Sequence, residues 1–328
     1  MPPENWFRRK SSQSSGSAPQ SAQATRIPDG LAVKCAGCGE ILFNKDFERC
    51  LKVCPKCGFH ARIGAELRIQ ITADEGSFEE LAESLDLRSR DFLRFADYTE
   101  KLTAARDKAG AGEGYRVGLA TIESRPVMLG VCDFFFLGGS MGSVACEKIA
   151  LAIERAIELR LPVVFFTASG GARMHEGLTS LMQMAKTAAV CARLGAAGLP
   201  LIVVLTDPTI GGVTASYASL GDVILAEPGA LIALAGERVA AQAAQGQKLP
   251  ANYQSSEWRL EHGQVDQIVP RRDLRPVLGR LIGLLTPETA KPAKKAAAHR
   301  NGSVIGLPAA AGVAMPDEPT TADPAPEN

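Results

Sequence analysis

Short apolar runs alternate with helical stretches over the second half of the chain, and this alternation limits the possible folds more than any other feature. Six runs predict strands, over residues 117–122, 126–136, 162–168, 200–206, 222–227 and 231–235. Helical spacing of apolar residues covers 144–159 and 178–194. Strands that are apolar along their whole length are buried on both faces of a sheet. With only 5% aromatic residues, the pattern predicts a layered α/β domain and not a β-sandwich.

Length and charge exclude several classes of protein. With 328 residues we expect about two domains. The 36 Lys and Arg balance the 36 Asp and Glu, which argues against binding of nucleic acid through bulk charge. No run approaches the ~18 apolar residues of a spanning helix, and Ser-rich sequence follows the basic residues 8–10 where a signal peptide carries its apolar segment. We therefore expect a cytoplasmic protein without a membrane partner, in which disulfides are disfavoured.

Four of the eight cysteines form two C-x-x-C motifs separated by 15 residues: Cys35, Cys38, Cys54 and Cys57. Each motif presents two thiolates from one tight turn, and four thiolates around one ion make a closed tetrahedral zinc site. We therefore predict one structural Zn²⁺ per chain. The alternative is a disulfide or a redox-active C-x-x-C, which the doubled motif disfavours. We interpret Cys50 as a packing residue, and His60 as a surface residue or a neighbour of the metal ligands.

These features divide the chain into five segments. We expect a disordered tail over 1–30, a zinc ribbon over 31–60, a helical linker over 61–112, an α/β domain over 113–286 and a second disordered tail over 287–328. Both tails are polar or Pro- and Ala-rich and have no hydrophobic pattern. The ribbon carries basic residues, but acidic residues dilute them and no aromatic row offers base stacking. A structural or subunit-docking role for the ribbon is therefore favoured over nucleic-acid binding.

A pair of glycines follows three of the predicted strands, at 138–139, 170–171 and 211–212, and each pair precedes a helical stretch. Paired glycines permit positive φ and a close approach of the backbone. They also leave N–H groups unobstructed at the start of a helix, where the dipole favours negative charge. Three tight turns without chemistry are the alternative. Because the pair recurs at equivalent places, we favour a surface that stabilises anions.

Four segments together resemble one family. They are KCAGC…VCPKCGFH in the ribbon, GGSMGS at 138–143, ASGGARMHEG…SLMQMAK at 168–186, and LTDPTIGGVTAS at 205–216. Their sequence and order are similar to those of the carboxyltransferase beta subunits of bacterial acetyl-CoA carboxylase, from about residue 30 to 275. The chain departs from the family pattern at 145–147 and at His175, where the family has Gln. The resemblance implies a crotonase-like (ClpP/crotonase) domain of ββα repeats after the ribbon.

The resemblance also implies a reaction. The chain would transfer a carboxyl group from carboxybiotin, on the biotin carboxyl carrier protein, to acetyl-CoA, giving malonyl-CoA for fatty acid synthesis. Biotin is then supplied by the carrier protein, and the family's association with ATP and nucleotide binding is implied in the same way. The alternatives are a preference for a longer acyl-CoA and a zinc-ribbon nucleic-acid-binding protein. A crotonase-type hydratase or isomerase would need paired carboxylates near the glycines, where the sequence offers only Glu176.

Such a transfer develops negative charge on the thioester oxygen and on biotin, which calls for preorganised hydrogen-bond donors. The candidate oxyanion hole consists of the backbone N–H groups of Gly170, Gly171, Gly211 and Gly212. The wall of the acyl-CoA site is expected to be shaped by Gly138, Gly139 and Gly142. Arg173 is expected either to neutralise a phosphate of CoA or to pair with a carboxylate such as Glu176. We interpret His175 as a rim residue and not as a general base, because biotin can accept the proton.

The resemblance implies partners as well. Biotin-dependent carboxyltransferases resemble a pair of crotonase-like domains, and only one such domain fits into 113–286. We therefore expect a related alpha subunit to complete the site, in an α2β2 assembly, and the chain alone to be inactive. The carrier protein and biotin carboxylase are the further partners implied, and nucleic acid is a secondary one.

Overall fold

The computed structural model describes residues 31–245 and 248–286. The tails for which the sequence predicts disorder, 1–30 and 287–328, lie outside the described residues. The ribbon begins with β1 (Ala32–Lys34), which pairs antiparallel with β2 (Ile41–Phe43), and α1 (Asn44–Arg49) follows directly. Leu42 and Phe47 pack with Cys35 and Cys54 in its small core. So little buried apolar surface leaves much of the ribbon's stability to a bound metal.

The segment between the ribbon and the α/β domain contains α2 (Ala65–Thr72), β3 (Glu79–Glu80), α3 (Ala82–Leu85) and α4 (Tyr98–Ala109). The sequence predicts only helices here, so β3 is a difference. It forms because Glu79 and Glu80 pair antiparallel with Leu119 and Gly118 at the edge of the large sheet. That contact spans about forty residues of sequence, so no local pattern contains it.

The α/β domain contains β4 (Tyr115–Ile122), β5 (Arg125–Cys132), α5 (Ser143–Leu159), β6 (Val163–Ser169), α6 (Leu178–Ala196), β7 (Leu201–Ile210), β8 (Val223–Ala226), β9 (Ile232–Ala233), α7 (Glu237–Ala243), α8 (Ser256–Glu261), β10 (Gln267–Ile268) and α9 (Leu274–Leu285). The strand order is β10-β8-β7-β6-β5-β4-β3, and β9 pairs with β7. From β5 to β10 neighbouring strands are parallel, whereas β3, β4 and β5 pair antiparallel. Within the described residues, no helix has both the length and the hydropathy needed to cross a membrane.

Side chains of each central strand alternate between two hydrophobic cores, which explains the continuous apolar runs in the sequence. In β6, Val163 and Phe165 belong to the core beneath α5 and α6, and Val164 and Phe166 belong to the core beneath α2 and α9. All four are at most 1% exposed. Helices on both faces therefore bury the sheet completely at this point, as the layered α/β prediction requires.

Two predicted elements next to glycine pairs are shorter than the sequence suggests. The strand predicted over 126–136 ends at Cys132, because the carboxylate of Asp133 accepts the backbone N–H groups of Phe135 and Ala65 and closes a turn. After the third glycine pair, turns over 211–216 lead only to a 3-10 helix, Tyr217–Ser219. The prediction of a longer helical stretch after that pair is wrong.

Candidate active site

Three glycine turns lie side by side at the carboxyl ends of parallel strands. We define them as the first turn (138–142, after β5), the second turn (170–177, after β6) and the third turn (211–216, after β7). The carbonyl of Gly138 accepts the N–H of Gly170 at 2.9 Å. A Cβ built on Gly211 would stand 3.3 Å from the Cα of Gly171, so the second and third turns touch backbone to backbone. The structure therefore brings the three predicted glycine pairs together.

The N–H groups of the four candidate oxyanion-hole glycines differ in their bonding. Three of them donate within the chain. The N–H of Gly170 donates to the Gly138 carbonyl at 2.9 Å, that of Gly171 donates to the Ser169 hydroxyl at 3.1 Å, and that of Gly211 donates to the Ala233 carbonyl at 2.8 Å. The geometry of these three therefore does not support a role as oxyanion donors. The N–H of Gly212 has no hydrogen-bond partner among the residues that the structure describes, and Gly212 is half-buried. Gly212 is the remaining candidate donor.

The glycines predicted to form the acyl-CoA wall have different surroundings. A Cβ on Gly138 would meet nothing within 4 Å, so this position borders open space. Gly139 is packed against the carbonyl oxygen of Ala168, and a Cβ on Gly142 would lie 2.6 Å from Glu176 Oε1. Close contacts inside the protein therefore explain why positions 139 and 142 carry glycine. Contact with acyl-CoA stays a prediction, for which Gly138 has the accessible position.

Arg173, predicted to meet a CoA phosphate or to pair with a carboxylate, is buried. Its side chain is 1% exposed, and its guanidinium donates to both carboxylate oxygens of Glu113, at 2.7 and 3.0 Å. It also donates to the Ser140 carbonyl and to Ser89 Oγ, each at 2.9 Å. Glu176, the carboxylate named from the sequence, lies 3.4 Å from the guanidinium. The geometry supports the carboxylate-partner alternative and corrects the assignment of Arg173 to substrate binding.

Glu113 is a residue of this site that the sequence analysis missed. It is 1% exposed and lies 60 residues before Arg173 in the chain. Burial by itself would raise the pKa of the Glu113 carboxyl, but the charge and hydrogen bonds of Arg173, with a bond from Ser89, hold that pKa below its usual range. One signal in the sequence could have indicated Glu113: it lies just before an apolar strand, and a carboxylate that is buried there needs a cationic partner. Nothing in the sequence identifies that partner.

His175 lies at the rim of the second turn. Its ring stacks on Tyr98 with centroids 4.6 Å apart and meets Phe95 edge-on at 5.0 Å. Desolvation lowers the pKa of the His175 imidazole, and the charges of Lys101 and Arg173 lower it further. These effects favour the neutral form of the ring, which packs on its two aromatic neighbours.

The four cysteines of the ribbon converge. Their Sγ atoms all lie within 4.8 Å of one another, and the Sγ–Sγ distances Cys35–Cys57 and Cys38–Cys54 are 3.7 and 3.9 Å. Four sulfurs at ~2.3 Å from one zinc ion are about 3.8 Å apart in tetrahedral geometry. The donor set and its spacing therefore fit a structural zinc ion.

The two neighbours of the cysteine site differ in how they match their predictions. Cys50 is exposed, so the prediction that it packs is wrong; the buried side chain of this helical stretch is Phe47. His60 is 8% exposed and is not a surface residue. Its Nε2 accepts the N–H of Arg271 at 3.2 Å, which leaves Nδ1 to donate to the Gly58 carbonyl at 2.8 Å. His60 therefore connects a cysteine turn to the α/β domain.

A buried ion cluster fastens the ribbon to the α/β domain. Arg271 donates to both carboxylate oxygens of Glu227, at 2.8 and 2.7 Å, and to the carbonyls of Leu51 and Ala61, at 2.8 and 2.9 Å. Arg68 reaches Glu227 at 2.8 Å. Burial would raise the pKa of Glu227, but the charge of Arg68 and the hydrogen bonds of Arg271 lower it to about 2. Such charge-assisted bonds hold the ribbon in one orientation.

Known proteins share both parts of this chain. The sequence profile of the Carboxyl transferase domain matches residues 62–257, and that of the Acetyl-CoA carboxylase zinc finger domain matches residues 33–57. The acetyl-coenzyme A carboxylase carboxyl transferase subunit beta of Desulforamulus reducens is 54% identical over 258 residues, which cover 79% of this chain and 88% of the relative. The protein of the same name from Clostridium botulinum is 52% identical over 258 residues, with the same coverage.

A solved structure shares the fold. The transcarboxylase 12S structure with methylmalonyl-coenzyme A and methylmalonic acid bound has a TM-score of 0.57 at 26% identity. The match covers 67% of this chain and 40% of that chain. The predicted fold class, a zinc ribbon followed by a crotonase-like α/β domain, is confirmed. With relatives more than half identical along most of its length, the chain belongs to the family of acetyl-coenzyme A carboxylase carboxyl transferase beta subunits, which are carboxyl-transferring enzymes.

Proposed function

We propose that this chain is the beta half of an enzyme that moves a carboxyl group from carboxybiotin, on the biotin carboxyl carrier protein, to acetyl-CoA, forming malonyl-CoA. The observation that carries the proposal is the meeting of three glycine turns at the carboxyl ends of β5, β6 and β7. The third turn adds the N–H of Gly212, which has no partner within the described ranges. Relatives named for acetyl-CoA support acetyl-CoA over a longer acyl-CoA as the acceptor.

The chemistry needs hydrogen-bond donors more than it needs a protein base. Loss of a proton from the α-carbon of the thioester places negative charge on the thioester oxygen, and the carbanion then attacks CO2 released from carboxybiotin. The ureido nitrogen of biotin, freed as CO2 leaves, accepts that proton. In this proposal the N–H of Gly212 donates to a developing oxyanion. Loss of one such donor typically raises a barrier by about 3 kcal/mol.

A hydratase or isomerase is less well supported. Its chemistry needs an accessible carboxylate that moves protons on and off water. Glu176 is 0% exposed, and it accepts the N–H of Ser143 at 2.6 Å and the hydroxyl of Tyr98 at 3.0 Å. Glu113 is equally enclosed by Arg173. Both carboxylates beside the glycine turns are therefore held by structural bonds.

A second subunit is part of the proposal, because apolar side chains beside the second turn are exposed. Met174, Leu178 and Met182 are 79%, 71% and 59% exposed. Leu93 and Phe95, 52% and 46% exposed, lie next to the same turn, and we call these five residues the apolar face. Contiguous exposed apolar surface marks a protein interface. We assign the apolar face to an alpha subunit in an α2β2 assembly.

Further elements of the proposal come from the family. They are one structural zinc ion per chain, the carrier protein and biotin carboxylase as partners, and a cytoplasmic location. ATP binding, nucleotide binding and a secondary affinity of the ribbon for nucleic acid stay predictions.

Reconstitution tests the proposal. The chain is mixed with an alpha subunit, and the carboxylation of free biotin that depends on malonyl-CoA is followed. We expect almost no turnover by either subunit alone and clear turnover on mixing. A full rate from this chain alone would overturn the proposal that the site is shared with an alpha subunit. If biotin is carboxylated neither with malonyl-CoA nor with a longer carboxylated acyl-CoA, the proposed function is wrong. Comparing these donors also decides the chain-length preference.

A further inference from the structure

Two of the buried Arg–Glu pairs in the described residues are bidentate, and one of these two lies at the glycine turns. Arg173 with Glu113 and Arg271 with Glu227 are both bidentate, and the two arginines are 1% and 4% exposed. Arg271 links the ribbon to the α/β domain, and it bonds to no residue of the three glycine turns. Arg173 is itself a residue of the second turn. The two pairs are therefore alike in their bidentate geometry and burial, although Glu227 also pairs with Arg68, and they differ in which parts of the chain they hold.

Arg173 connects the second turn to the first. Its Nε donates to Ser140 Oγ at 3.0 Å, and its Nη2 donates to the Ser140 carbonyl at 2.9 Å. Its backbone N–H donates to the Met141 carbonyl at 2.9 Å, and the N–H of Met141 donates to the Gly171 carbonyl at 2.8 Å. The two turns thus form a short stretch of paired backbone, with the guanidinium at one end.

The helical segment before the α/β domain reaches the same place. Ser89 accepts from Arg173 at 2.9 Å and donates to Glu113. Tyr98 donates to Glu176, whose other oxygen accepts the N–H of Ser143 at the start of α5. Three parts of the chain are therefore held together by this cluster: the first turn, the second turn and the segment that contains α4.

We propose that Arg173 is a positioning residue for carboxyl transfer. It holds Ser140 and Met141 against the second turn, and it thereby sets the place of the first turn relative to the surface that carries Gly212. This inference rests on the proposed function and adds a residue to it. We assign Arg173 no contact with substrate, because its side chain is 1% exposed and its guanidinium is bonded to Glu113, Ser140 and Ser89. A Lys ammonium cannot replace it, since it lacks the planar fork that reaches Glu113 and Ser140 together.

The test compares Arg173→Lys with Arg271→Lys, each reconstituted with the alpha subunit. Both substitutions keep the charge and break a buried bidentate pair, so Arg271→Lys controls for lost stability. Because a misplacement of about 1 Å lowers rates about 100-fold, we expect Arg173→Lys to lower kcat about 10- to 100-fold and to change KM for acyl-CoA less than about threefold. Arg271→Lys should keep kcat within about twofold per folded, zinc-loaded molecule. A raised KM with unchanged kcat would overturn the proposal and indicate contact with CoA, and equal kcat losses in both variants would also overturn it.

Amide hydrogen exchange supplies a readout without substrate. In the isolated chain with Arg173→Lys, we expect the backbone N–H groups of residues 141, 143 and 173 to exchange faster than in the wild type. In Arg271→Lys, exchange of these three groups should be unchanged. Unchanged protection in both variants would overturn the proposal. If Arg173→Lys does not fold, Ser140→Ala removes one acceptor and should show the same pattern more weakly. An inactive wild-type assembly would count against the proposed function, while the exchange result would still decide whether Arg173 holds the turns.

Discussion

Gly139 and Ala168 lie so close that a Cβ at position 139 would overlap the carbonyl oxygen of Ala168. Gly138 has a similar φ, +68° against +59°, yet a Cβ there would meet nothing within 4 Å. Gly139→Ala should therefore cost about 3 kcal/mol or more through overpacking, whereas Gly138→Ala should cost only the roughly 1–2 kcal/mol of its left-handed backbone. Denaturant unfolding of the two variants measures this difference. Equal losses would show that the close approach to Ala168 does not matter.

The third turn should carry the largest effect on turnover. In Gly212→Val, the Cβ would stand 2.7 Å from the Met141 terminal methyl and 3.3 Å from the Met184 sulfur. Either these methionine side chains must move or the backbone that carries the N–H of residue 212 must shift, and we expect the larger Val side chain to displace that N–H. We expect kcat of the reconstituted enzyme to fall about 100-fold or more with zinc content unchanged. Because Gly212 does not have a positive φ, backbone strain is not the reason; strain applies to Gly171→Val, at φ +110°.

His175→Gln is the matched test of a side-chain base. We expect kcat to change less than about threefold, because a positioned general base contributes roughly 100-fold or more and biotin supplies the base here. The pH profile of kcat should also stay the same, which steady-state rates between acidic and alkaline pH will show. Abolished turnover in His175→Gln beside an active Gly212→Val would replace the backbone-donor mechanism by a side-chain base.

Metal content distinguishes the cysteines. Cys54→Ala should lose the zinc ion and unfold the ribbon, because structural zinc supplies much of the folding free energy of such a small core. Cys50→Ala should retain one zinc ion per chain, since Cys50 is exposed and lies outside the group of four Sγ atoms. Elemental analysis measures both. Full zinc content in Cys54→Ala would refute the four-cysteine assignment.

The Glu227 pair should make stability depend on pH. The pKa of this carboxyl is lowered from 4.5 to about 2, so its contribution is fully present above the ordinary value and is lost as pH falls toward about 2. The difference in unfolding free energy between wild type and Glu227→Gln should therefore shrink between about pH 5 and pH 2, by on the order of 3 kcal/mol. Urea unfolding at a series of pH values measures it, and the difference cancels zinc release common to both proteins. A constant difference over this range contradicts the prediction.

The apolar face should be needed for assembly. Leu178→Asp places a charge among side chains that the alpha subunit is proposed to cover, so affinity should fall about 30-fold or more. Leu284→Asp is the control, because Leu284 is 80% exposed on α9 and lies outside the apolar face. Sedimentation or calorimetric titration against the alpha subunit measures both. Equal affinities for the two variants would place the interface elsewhere.

The sequence determined the metal site and the layering. A four-cysteine metal site can be predicted from the sequence, because the spacing within each C-x-x-C motif already brings two thiolates to one turn. The strand predicted over 162–168 is observed at Val163–Ser169, since an apolar run buried on both faces is a local property of the chain. The second and third glycine pairs likewise mark the ends of β6 and β7, whereas β5 ends at Cys132, before the first pair. The three pairs meet because the carboxyl ends of parallel strands share one edge of the sheet.

Tertiary structure alone decided which of these groups are free to act. Gly171 and Gly212 look alike in sequence, yet one N–H is taken by Ser169 and the other has no partner among the described residues. Arg173 and Glu113 are 60 residues apart, and no spacing rule connects them. Hydrogen bonds and buried ion pairs at such separations exist only after the elements pack, because packing removes water and sets the distances. The positions of the glycine turns could therefore be predicted from the sequence. Only the tertiary structure determines that the buried Arg173 holds two of these turns together and that the N–H of Gly212 stays available as a donor.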